Sequence, residues 1–143
     1  MPFAERNGVR THYRLEGSAD KSVIVFSNSL GTNYAMWDEQ VAALSSSYRV
    51  IAPDLRGFGE SDASPDTATM TLMAQDIALL LNHLGIARTA IVGLSMGGYV
   101  ALAFYRLLGS RVRALVLADT RAEADTEEGK QTRAQQAGKA LSE

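Results

Sequence analysis

Ser95, in Gly93-Leu94-Ser95-Met96-Gly97, is the residue of this sequence whose type and neighbours best suit covalent chemistry. The five residues match the pattern G-x-S-x-G. A serine hydroxyl keeps its proton at neutral pH, so it attacks a carbonyl carbon only when a base takes that proton and nearby donors hold the developing oxyanion. Glycines on either side allow the backbone to fold sharply and lift the hydroxyl into the open. The Met96 N–H, at the start of a helix, then points toward developing negative charge. Alone, the pattern is equally satisfied by a Gly-rich turn with a capping serine. Its setting decides: an apolar strand must precede it and a helix must follow.

Both are legible. Ala90-Ile91-Val92 is an unbroken apolar run, and residues 96–108 carry Tyr99, Val100, Ala103, Phe104 and Leu107 at helical spacing before Gly109. Three further apolar runs, Val23-Ile24-Val25-Phe26, Val50-Ile51-Ala52 and Ala114-Leu115-Val116-Leu117-Ala118, read as strands buried on both faces, as in a parallel sheet covered by helices. Trp37, Val41 and Leu44 mark a helix over 37–45. Met73, Ile77, Leu80, Leu81 and Leu84 mark another over 72–84, with Thr71 as its cap and Gly85 as its stop. Near the start, residues 9–15 alternate with period two behind Asn7-Gly8, the preferred pair for a tight hairpin, so residues 2–6 form the opposing arm. A hairpin followed by strand–helix alternation predicts a three-layer α/β core of about six strands, mostly parallel, with an antiparallel N-terminal hairpin.

The loop after the Val23–Phe26 run, Ser27-Asn28-Ser29-Leu30-Gly31-Thr32, falls at the C-terminal edge of a parallel strand, where open α/β sheets bind ligands. Its spacing to Trp37 is similar to that of the His-Gly loop of α/β-hydrolases. Pro53-Asp54-Leu55-Arg56-Gly57-Phe58-Gly59-Glu60-Ser61-Asp62 resembles the R-G-x-G-x-S segment of the same family. With Gly93–Gly98, three segments in the family's order cover about residues 8–120, and among its members they most resemble 3-oxoadipate enol-lactonases and small carboxylesterases. That resemblance implies a serine hydrolase acting on carboxylic esters or lactones through an acyl-enzyme. Ser95 is then the nucleophile, and the Leu30 and Met96 N–H groups form the oxyanion hole. It implies no metal and no organic cofactor. Asn28-Ser29 in place of the commoner His-Gly favours the lactonase-like branch. Arg56 and Asp62 are expected to brace their loop.

The family's triad runs Ser, then Asp or Glu, then His along the chain. Here the histidines are His12 and His83, both before Ser95, and both are expected to be structural or solvent-facing. Asp119 stands where some members place the acid, although a later position is commoner. The resemblance therefore makes residues 1–120 the N-terminal part of a core. Residues 121–143 form a polar segment leading toward a cap domain, either a solvated helix or a flexible tail, since 121–140 contain no large apolar residue. The triad acid and histidine are expected from a C-terminal half, missing or on a separate polypeptide, docked on the bare Ala114–Ala118 edge. A competing reading is a non-catalytic α/β-hydrolase-like binding module. A third keeps the serine but turns it to cofactor-free peroxidase or carbon–carbon hydrolysis.

Bulk properties agree with a small-molecule enzyme. The net charge of -2 lacks the basic footprint of a nucleic-acid binder, and the absence of cysteine excludes disulfides, a thiol nucleophile and thiolate metal sites. No apolar stretch approaches the ~20 residues of a membrane span, and the N-terminus lacks the apolar run of a signal peptide. The expected setting is the cytoplasm, with an ester or lactone as the small-molecule partner and neither nucleic acid nor membrane.

Overall fold

The computed structural model describes residues 2–142. Six strands form one sheet: β1 (Phe3–Arg6), β2 (Val9–Glu16), β3 (Val23–Ser27), β4 (Arg49–Pro53), β5 (Thr89–Leu94) and β6 (Val112–Ala118), in the order β1-β2-β4-β3-β5-β6. Asn7 and Gly8 both take positive φ, 54° and 74°, which is the twist-matched two-residue turn that joins β1 to β2. β2 pairs antiparallel with β4, and the β4–β3, β3–β5 and β5–β6 pairings are all parallel. The predicted α/β core of six mostly parallel strands with an antiparallel N-terminal hairpin is the observed one.

Alternation along the central strands sends side chains to two cores. Val25, Ile51 and Ile91 face helices α2 (Met70–His83) and α3 (Met96–Leu108), meeting Met73, Ile77, Leu80, Leu81, Val100 and Phe104. Ile24, Phe26, Val50 and Ala52 face the other way, onto Trp37 and Val41 of a 3-10 turn (Tyr34–Trp37) and α1 (Asp38–Leu44). Helices thus cover both faces of β3, β4 and β5, which is why those strands read as continuous apolar runs. Strand β6, expected from the same pattern to be buried on both faces, has no buried residue because it stands at the sheet edge.

Two local expectations are corrected. The helix expected over 37–45 is split, because Asn33 caps the 3-10 turn by accepting the Ala35 N–H, and the α-helix starts only at Asp38. Helix α2 begins at Met70 rather than 72, and its cap is Thr69, not Thr71. Thr69 holds the extended conformation (φ −80°, ψ 159°) and its hydroxyl accepts the Leu72 N–H, whereas Thr71 already lies inside the helix. Gly85, at φ 67°, does follow the end of α2. Beyond β6 the polar segment forms helix α4 (Glu127–Ser142), in which no described residue is buried.

Candidate active site

The β5–α3 junction holds Ser95 in a conformation that side-chain-bearing residues rarely adopt, φ 53° and ψ −115°. Four contacts sustain it. The Ser95 N–H donates to the Ala118 carbonyl at 3.0 Å, the Gly98 N–H donates to the Ser95 carbonyl at 2.9 Å, and the Thr120 hydroxyl donates to the same carbonyl at 2.8 Å. The fourth is steric. A Cβ on Gly93 would run into the Gly97 carbonyl, one on Gly97 into the Ser27 and Asn28 carbonyls, and one on Gly98 into the Thr120 side chain. The glycines of the motif are therefore required by close backbone approach. Ser95 is half-buried and Met96 is buried, at the N-terminus of α3.

Gly97 also brings the second loop in. Its approach to Ser27 and Asn28 seats the first turn of α3 directly on the backbone that leads into Ser29–Thr32. Leu30 is 65% exposed at the crest of that turn, Gly31 takes φ 75°, and the Thr32 hydroxyl and N–H both donate to the Ser29 carbonyl. The Asn28 side chain, buried, donates from Nδ2 to the Pro53 carbonyl at 2.9 Å and accepts the Trp37 indole N–H at 2.8 Å. The spacing of Asn28 to Trp37 thus reflects a direct side-chain bond.

Of the other residues singled out in the sequence, Arg56 and Asp62 are placed as braces. Arg56 forms a two-pronged pair with Asp76 of α2, both largely buried, and that partner holds the guanidinium above its ordinary pKa. Asp62 pairs with Arg10, whose side-chain and backbone N–H groups lower the Asp62 pKa. Asp119 is exposed, one residue past β6, at φ 46°. His83 ends α2, which leads into the opposite end of β5 from Ser95, and it lines a cleft against β1 with Ala4, Arg6 and Asp76. Among the described residues neither histidine is hydrogen-bonded to Ser95. His12 is buried at 2% exposure and bonded through Nδ1 to the Asp54 carboxylate at 2.9 Å. That pair was not visible in the sequence, where the two residues stand in separate motifs. Nor was Thr120, whose hydroxyl supports the elbow from just beyond β6. No group of three or more His, Cys, Asp or Glu among the described residues could hold a metal ion, and no helix is long and apolar enough to cross a membrane.

This combination of strand, strained serine, helix and facing loop defines an α/β-hydrolase-type core, and comparison with known proteins agrees. A family model described as the alpha/beta hydrolase fold matches residues 22–139, and the chain belongs to that family. It is similar to 3-oxoadipate enol-lactonase 1 of Acinetobacter baylyi, with 38% identity over 133 residues, 93% of this chain and 50% of that protein. Among solved structures it resembles the enol-lactonase of Burkholderia xenovorans (39% identity, TM-score 0.86, covering 95% of this chain and 53% of that one). It also resembles a thermophilic esterase of Thermogutta terrifontis (41% identity, TM-score 0.81, covering 92% and 48%). The chain spans about half the length of these relatives.

Proposed function

We propose that this chain carries the nucleophile side of a hydrolase for small carboxylic esters or lactones. The Ser95 hydroxyl gives its proton to the base as its oxygen attacks the substrate carbonyl, and the N–H groups of Leu30 and Met96 hold the oxyanion. The ester C–O bond breaks with the alcohol oxygen taking that proton, and water then hydrolyses the acyl-enzyme to the acid. The observation that carries the reading is the strained backbone of Ser95 at a strand-to-helix turn, closed by glycines that admit no Cβ. Strain of this kind, roughly 1–3 kcal/mol, persists where surrounding structure over-determines it, and it clusters at active sites. The packing of Gly97 on Asn28, two residues before Leu30, supports the choice of second donor. Similarity to enol-lactonases and an esterase supports the substrate class. Because the relatives are about twice as long, the reading assigns the triad acid and histidine to the C-terminal half of the same hydrolase, as continuing chain or separate polypeptide.

The test is labelling with a fluorophosphonate probe and turnover of a panel of esters and lactones, with Ser95→Ala as control. The material is the chain together with any polypeptide that co-purifies with it. Labelling confined to Ser95 and loss of turnover by at least about 1000-fold in Ser95→Ala are expected. Ester turnover that survives the substitution would show the mechanism to be wrong, and an unlabelled Ser95 would point to a binding module.

A further inference from the structure

Helix, strand and loop converge on one buried carboxylate that the hydrolytic mechanism does not use. Asp54, at the end of β4, is completely buried. Its Oδ1 accepts the Tyr34 N–H at 2.7 Å, and its Oδ2 accepts the Glu60 N–H at 3.0 Å and His12 Nδ1–H at 2.9 Å. It therefore joins β2, the loop of residues 54–62 and the 3-10 turn that follows the Leu30 loop.

We propose that Asp54 and His12 are positioning residues for the oxyanion turn Ser29–Thr32, holding the Leu30 N–H in register with Ser95. The proposal rests on the reading of Leu30 as an oxyanion donor. Within the turn, the Thr32 hydroxyl and N–H donate to the Ser29 carbonyl at 2.7 and 3.3 Å, which sets its shape but not its place, since Leu30 projects into solvent and a Cβ on Gly31 would touch nothing. Its placement depends on its two ends, and both rest on consecutive residues. Asn28, before the turn, donates to the Pro53 carbonyl, and Tyr34, after it, donates to the Asp54 carboxylate.

The orientation of that carboxylate is in turn set by His12. The imidazole is wedged between the rings of Phe3 and Tyr34, with centroids 5.0 and 5.4 Å away, so it has one direction in which to donate. The two backbones are also locked together. The Asp54 N–H donates to the His12 carbonyl at 2.9 Å, and the Ser61 hydroxyl donates to the Asp54 carbonyl at 2.7 Å while accepting the His12 N–H at 2.8 Å. On the remaining side Gly59 lies against the carboxylate so closely that a Cβ there would collide with it. The Glu60 carboxylate, 3.7 Å from Nε2, is the other charged group facing the ring. A carboxylate with both oxygens occupied and no room to turn acts as a fixed pin. Oxyanion donors stabilise a transition state only when they sit within about 2.7–3.1 Å of the oxygen, so a pin that sets a turn by tenths of an ångström acts on rate.

Two substitutions separate positioning from mere stability. His12→Leu and Asp54→Asn are expected to lower kcat for ester hydrolysis about 10- to 100-fold, less than the loss of a whole oxyanion donor, with KM within about twofold. His12→Asn, whose Nδ2 occupies nearly the place of the imidazole Nδ1–H, is expected to restore most of the rate. In parallel, amide hydrogen exchange over residues 29–36 is expected to quicken in His12→Leu and Asp54→Asn while residues 86–94 keep parental protection. If His12→Leu does not fold, Asp54→Asn carries both measurements. Unchanged exchange over 29–36, or a uniform rise across the chain with kcat intact, would overturn the proposal. The kinetic measurements use the chain together with its C-terminal half, continuing or co-purified. If that material turns over no ester, the hydrolase reading fails instead, and the exchange comparison still decides whether the pin holds the turn.

Discussion

At the scale of single residues, Ser95 combines chemical promise with conformational cost. A residue with a side chain at φ 53° and ψ −115° is strained, and glycine is the residue that relieves such strain. Ser95→Gly is therefore expected to be more stable than Ser95→Ala by about 1 kcal/mol in denaturant unfolding, because alanine keeps the Cβ and glycine removes it. Equal stabilities would mean that the elbow is not strained. Gly97→Ala is expected to act in the opposite sense, destabilising by more than about 2 kcal/mol, since its methyl would meet the Ser27 and Asn28 carbonyls, which are backbone and cannot swing aside. The glycines around Ser95 were legible as a pattern. For Gly97 and Gly98 the reason was not, because the atoms that exclude a Cβ come from Ser27, Asn28 and Thr120, far away in the chain.

At the scale of elements, charged braces fasten loops to helices. Arg56 and Asp76 tie the residue 54–62 loop to α2, with each side chain 9% exposed. Truncating one partner strands the other charge, so Asp76→Ala is expected to cost about 3–5 kcal/mol by thermal or denaturant unfolding. A cost below about 1 kcal/mol would place the pair among ordinary surface bridges. Helix α4 is held differently. It buries nothing among the described residues, and its approach is fastened by Asp125, whose carboxylate accepts from Arg133 and Arg121. Those two hydrogen bonds, Arg133 first, lower the Asp125 pKa from its ordinary 3.8. A carboxyl depressed in the folded state adds stability above its unfolded pKa and loses it as pH falls through the folded value. Protease cleavage within residues 121–142 is accordingly expected to accelerate as pH drops below about 4, and not between pH 5 and 8. No acceleration below about pH 4 would show that Asp125 does not fasten the helix. The helical character of α4 was one of two readings open in its polar sequence. Propensity is shared between a solvated helix and a tail when no apolar face exists to decide.

At the scale of the whole molecule, the sheet ends unevenly. The hairpin edge is short, at four residues, whereas β6 is a seven-residue edge whose Val116 and Leu117 are 51% and 42% exposed. An apolar edge of that length is a template for pairing. In this chain studied by itself, Val116→Lys is expected to reduce concentration-dependent self-association in analytical ultracentrifugation, and no change would show that this edge does not mediate it. The sequence by itself determined the six strands and helices α2 and α3, their order, the hairpin turn and the Gly93–Gly97 elbow. These follow from periodicity, apolar runs and glycine placement, which act over a few residues. Only the tertiary structure decided that His12 pairs with Asp54, that Asn28 and Tyr34 hang one turn on Pro53 and Asp54, and that Thr120 supports Ser95. Each of these joins residues separated by about 20 or more positions, where spacing carries no signal. Burial in a shared core, not local preference, brings them within hydrogen-bonding reach.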